Sequence, residues 1–102
     1  MRVDFSVSIE PEELPVEGNV DDSLVDEIMS EACHNPWAWC VVTVTASNPN
    51  LFFTEDAVLG CCSYKSLEDF KSSDYYDQMC REAEAGLMVL AHQTKEFLNR
   101  SL

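Results

Sequence analysis

The longest regular pattern in the chain lies between Asp74 and Asn99, where apolar residues return at Tyr76, Met79, Ala83, Leu87, Leu90 and Phe97. Cys80, Ala91 and Leu98 lie beside them. That spacing predicts one long amphipathic helix. Such a helix must bury its stripe against something, and the preceding segments supply a sheet. Residues 2–9 alternate, with Val3, Phe5, Val7 and Ile9 on one side and Arg2, Asp4, Ser6 and Ser8 on the other. This reads as a half-buried strand. Residues 37–46 are rich in valine and threonine, and a third strand is expected between Leu51 and Tyr64, with "TEDA" as a bulge or widened loop.

Between the first two strands, "EPEELPVEG" carries two prolines and four glutamates. It reads as an extended charged connector. A first helix begins near Asn19–Ser23, where Asp21, Asp22 and Ser23 offer capping oxygens. Its stripe is Val20, Leu24, Ile28 and Ala32, widened by Val25 and Met29; "HNP" at 34–36 ends it. Ser66 with Asp69 three residues on predicts a short helical turn before the last helix. Gly86 inside that helix implies close approach to the sheet. The expected order is β-α-β-β-α: an α+β fold in which two helices pack on one face of a small, mostly antiparallel three-stranded sheet. One domain is expected for 102 residues.

Charge constrains the function class. Nineteen acids face six bases, for a net charge of −13. Residues 1–64 hold twelve of the acids and only Arg2 as a base. Direct binding to nucleic acid or to an anionic membrane needs Lys and Arg, and is not expected. A basic protein partner fits instead. No apolar run approaches twenty residues and no secretory signal is visible at "MRVDFSVSIE", so a cytoplasmic protein is expected. Five cysteines, an odd number, suit reduced thiols.

"NPWAWCVVTVTAS" raises the sharpest question. Read as a strand, it puts Ala38, Cys40, Val42, Val44 and Ala46 on the helix side and Trp37, Trp39, Val41, Thr43 and Thr45 on the other. The tryptophans then cover the sheet, stack with Tyr64 or meet a partner. Chemistry finds less footing. Cys33, His34, Cys40, Cys61 and Cys62 lack metal-ligand spacing, neither histidine is tied to a thiol, and no phosphate-binding glycine motif occurs. No cofactor or metal is expected. Tyr76 fits the core by helical spacing, with Tyr75 at the rim.

The segments "WAWCVVTVTAS", "LGCCSYKSLEDF" and "YYDQM" resemble those of small hypothetical proteins encoded by phages, prophages and related mobile elements, which carry W-A-W-C, L-G-x-C-S-Y and Y-Y-D-x-M segments. The resemblance covers roughly residues 35–80 and carries over no functional residue. It implies an accessory gene acting inside an infected bacterium, where small proteins of this kind often bind and block host proteins. The leading expectation is therefore a non-enzymatic binding protein docked on a basic host protein. A nucleic-acid-binding defence component, of the restriction or CRISPR kind, is the expected partner. Its contact face would be Glu10, Glu12, Glu13, Glu17, Asp21, Asp22, Asp26, Glu27 and Glu31, with Trp37, Trp39 and Tyr75 as aromatic contacts. The protein is expected to be a monomer or homodimer, and the second reading is a structural or assembly protein that self-associates through Trp37 and Trp39. The third is a small enzyme with a carboxylate or thiol site.

Overall fold

The computed structural model describes residues 1–101. Strand β1 spans Asp4–Pro11, helix α1 Val25–Ala32, strands β2 and β3 Cys40–Ser47 and Glu55–Cys62, and helices α2 and α3 Leu67–Lys71 and Asp74–Ser101. The sheet is three-stranded and antiparallel, in the order β1-β2-β3. The fold is α+β, as the hydrophobic periodicities imply.

Period-two alternation decides which face of the sheet is dry. Cys40, Val42, Val44 and Ala46 are buried, while Val41, Thr43, Thr45 and Ser47 between them are half-buried. The buried set faces α3, whose Met79, Ala83 and Leu87 complete the core with Ala57, Cys62 and Phe70. Small residues on β2 let the helix sit close to the strand. Gly86 belongs to this approach, because the Glu55 side chain occupies the space that a Cβ would need. The opposite face is mostly polar, with Thr45 Oγ1 bonded to Asp56 Oδ1 at 2.6 Å.

Helix α1 is seated at the Pro11–Cys40 end of the sheet. A 3₁₀ turn at Asp22–Leu24 leads into it, and the Asp21 carboxylate caps this turn by accepting from Ser23 N–H at 2.9 Å. Val25 and Ile28 of α1 join Val16 and Trp39 in a second, smaller cluster. The α3 layer thus covers β2 and β3, while Val7 and Ile9 of β1, and Val3 just before it, stay only partly buried and Phe5 is 38% exposed.

Two local features depart from the expectations. The tryptophans do not share a strand face. Asn35 and Pro36 start a 3₁₀ turn at Pro36–Ala38, with the Asn35 side chain accepting from Trp37 N–H at 3.1 Å, and β2 begins only at Cys40. The turn swings Trp37 toward the α3 layer and leaves Trp39 on the α1 side. The irregularity in β3 is at its other end from "TEDA": Gly60 and Cys61 together oppose Val41, between the pairs Val42–Leu59 and Cys40–Cys62. Cys61 adopts φ 54° there. That is a left-handed conformation uncommon for residues other than glycine.

The molecule measures 60 × 24 × 20 Å, with a radius of gyration of 17.2 Å. A compact domain of this size would have about 13 Å. The difference comes from α3, which at 28 residues is about 42 Å long and runs past the end of the sheet.

Candidate functional site

Chain direction gathers the acidic segment at one end. β1 delivers Glu10 and Pro11 beside Val41 and Cys40, and the connector and α1 follow from that point. Trp39 anchors both. It is 9% exposed, its indole N–H donates to the Leu14 carbonyl at 2.7 Å, and its ring is packed by Val16, Val25 and Ile28. With Val25 and Ile28 turned inward, Asp26, Glu27 and Glu31 are left exposed on α1.

Eight of the nine expected contact acids are exposed: Glu10, Glu13, Glu17, Asp21, Asp22, Asp26, Glu27 and Glu31. Only Glu31 has a basic neighbour among the described residues, His34 at 3.4 Å. Glu12 has a different job. One of its oxygens accepts from Cys61 N–H at 2.8 Å and the other from Leu14 N–H at 3.1 Å, so it clamps the connector to the β3 bulge. These backbone donors hold its carboxyl below the usual carboxylate range. Gly60 makes room for the clamp, since a Cβ there would lie 3.0 Å from Glu12 Oε2. Glu12 is therefore spent on the fold rather than offered to a partner.

Beside this acidic end, a groove of about 580 Å³ opens between α1 and the loop from β3 to α2. Leu24, Ile28 and Tyr64 line it with Glu27, Glu31, Asp69 and Lys65. The loop side is held by Asn35 Nδ2 donating to the Lys65 carbonyl at 3.0 Å and by Lys65 N–H donating to Asp69 Oδ2 at 2.9 Å. An apolar floor with carboxylates at the rim suits the aliphatic stem and charged head of a lysine or arginine side chain. Nothing in the sequence pointed to this groove, because its walls are some thirty-five residues apart in the chain.

The aromatic expectations divide. Tyr75 is 53% exposed, at the rim, while Tyr76 packs against the core. Trp37 is half-buried and stacks on Phe70 at 5.9 Å between ring centroids, with Tyr64 edge-on at 6.5 Å. Trp37 and Trp39 thus serve two separate clusters and do not make a joint contact surface. The "NP" dipeptide was the available signal, since Asn as a cap and Pro at the first position announce a helical turn.

The thiols are all free. Cys40 and Cys62 face each other across β2 and β3 inside the core, and burial pushes both up to about 11. Burial also raises the Cys80 thiol. His34 meets Glu31 and His92 meets Glu96, so the ion pairs of both histidines are with carboxylates of their own helical segments. Among the described residues, no three His, Cys, Asp or Glu side chains converge to hold a metal ion. The thiolate is the reactive form. In native protein, iodoacetamide is expected to modify the exposed Cys33 readily. Cys40 and Cys62 should react at least about a thousand-fold more slowly, through unfolding. Peptide mass spectrometry over a time course reads both rates, and early labelling of Cys40 would contradict the packing described.

No helix among the described residues is long and apolar enough to cross a membrane. No protein-family model, curated protein or solved structure matches the chain.

Proposed function

We propose that the protein is a non-enzymatic binding protein that docks its acidic end on a basic, nucleic-acid-binding protein surface. The observation that carries the reading is the run of exposed carboxylates from Glu10 to Glu31, on one end of the fold, with His34 as their only ion-pair partner among the described residues. Carboxylates held without internal counter-ions are free to pair with the Lys and Arg that would otherwise hold phosphates. The groove lined by Glu27, Glu31 and Asp69 supports it as a receptor for one basic side chain. Glu12 stays outside the contact set because its oxygens are already committed. Tyr75 adds an exposed aromatic near the start of α3.

The resemblance to phage and prophage proteins supplies the setting. The protein acts in the cytoplasm of an infected or lysogenic bacterium, as an anti-defence inhibitor that mimics DNA toward a restriction or CRISPR component. The test is capture from a bacterial lysate on the immobilised protein, with elution by rising salt and by double-stranded DNA. A true target leaves the resin as salt screens the contact, and DNA competes for it. Reversing Asp26, Glu27 and Glu31 to lysine is expected to weaken its binding by at least about a hundred-fold. A captured protein that resists high salt and ignores both DNA and the reversals would sink the proposal.

A further inference from the structure

The last buried residue of α3 is Leu87; from His92 to Arg100 every residue is exposed. Yet the apolar stripe does not stop. Leu90, Ala91, Phe97 and Leu98, with Thr94 among them, continue the face that Met79, Ala83 and Leu87 present to the sheet, at the same helical spacing. Phe97 is 67% exposed and Leu98 52%. Met88 and Val89, 47% and 55% exposed, stand where the helix leaves the sheet. Phe52, in the loop between β2 and β3, is fully exposed, and Phe5 is level with Gly86 through the pairings Phe5–Ala46 and Ala46–Glu55. Val89 lies on the same side of the helix as His92; the other five large apolar side chains gather at the end opposite the acidic one.

We propose that this end is a self-association surface, in which residues 88–101 of two copies pair antiparallel, stripe against stripe, around Thr94. Three observations select a second copy as the occupant. The first is charge. Residues 1–87 hold eighteen acids against four bases, whereas residues 88–101 hold Lys95 and Arg100 against Glu96 alone. The projecting helix, with the acid-free loop at 48–54 beside its base, lets two such acidic chains meet with few carboxylates facing each other. The second is area. The five side chains expose on the order of 600 Å², taking about 200 Å² for a fully exposed aromatic side chain. This is about three quarters of the ~800 Å² per partner of a standard interface and lies at the top of the range for the largest apolar patch of a monomer, about 300–600 Å². The third is fit. Pairing around Thr94 sets Phe97 opposite Ala91 and Leu98 opposite Leu90, large against small and leucine against leucine.

Electrostatics chooses the orientation. A parallel pair would set the two acidic bodies side by side. The antiparallel pair sends them to opposite ends, well beyond a screening length of about 10 Å, and opposes the two helix dipoles. An isolated helix of fourteen residues is marginal in water, so pairing also supplies the packing that α3 lacks beyond the sheet.

Sedimentation equilibrium on the full chain tests this, with small-angle scattering for shape. The expected result is a dimer whose long dimension is near 100 Å, since two molecules of 60 Å overlap by about 21 Å of helix. Its affinity should hold or rise with salt, the reverse of the acidic end's partner binding, so the two proposals fail separately. Phe97→Glu with Leu98→Glu should raise the dimer dissociation constant at least about a hundred-fold, with tryptophan fluorescence unchanged because Trp37 and Trp39 lie at the far end. His92→Glu, on the opposite side of the helix, should leave the dimer intact. A monomer at all concentrations, a dimer indifferent to the double variant or equally broken by His92→Glu, or a dimer only about as long as one molecule would each overturn the inference.

Discussion

Replacing Phe70 with alanine is expected to remove about 3–5 kcal/mol of folding stability, enough to unfold most of a small domain whose whole margin is about 5–15 kcal/mol. Phe70 comes from α2, a helix of only five residues, yet it is completely buried. Its ring is the hub of the aromatic cluster: Trp37 stacks on it at 5.9 Å, and Tyr64 and Tyr76 meet it edge-on at 5.2 and 5.6 Å. These partners come from the 3₁₀ turn before β2, the loop after β3 and the start of α3. One side chain thus ties α2 to three other segments, the first two of which are also joined by Tyr64 N–H donating to the Trp37 carbonyl at 2.9 Å. Truncation leaves a cavity that rigid rings cannot close. Urea denaturation followed by tryptophan fluorescence measures the loss, since Trp37 reports on the same cluster. A loss below about 1 kcal/mol would mean that the cluster relaxes, contrary to the packing argued here.

Trp39→Ala is expected to cost about 3–5 kcal/mol, but locally. It removes the ring that Val16, Val25 and Ile28 cover and the indole hydrogen bond to the Leu14 carbonyl. The main cluster of β2, β3 and α3 does not include it. The connector and α1 should therefore lose hydrogen-exchange protection while β2 and the sheet-covering part of α3 keep theirs. Because those two segments carry the acids from Glu12 to Glu31, the variant would also spread the carboxylates over a mobile chain and weaken docking on a basic surface. Uniform loss of protection across the sheet would show instead that the two clusters fold as one unit.

These two residues show where local reading of the chain fails. Phe70 was legible only as part of a weak turn, because a five-residue helix has no period long enough to reveal its buried face. Trp39 was legible as an aromatic in a strand, but Trp37 was given the same side by extending the β2 alternation three residues too far. Asn35 and Pro36 stop the strand at Cys40, and a 3₁₀ turn resets which way each ring points. Glu12 looked like eight other acids; its separate role depends on Cys61, forty-nine residues later, presenting a free N–H in a bulge.

The sequence by itself determined the element order, the alternation of β1 and β2, the caps at Asp21 and Ser66 and the acidity of residues 10–31. Each of these depends on neighbours within a few residues, or on simple counting. Only the tertiary structure decided that α1 sits on Trp39 at the end of the sheet, that the groove beside it joins Glu27 and Glu31 to Asp69, and that α3 outruns the sheet. Those outcomes turn on how much surface the other elements leave uncovered, and a periodic pattern states that a face wants burial without stating what is long enough, or near enough, to bury it.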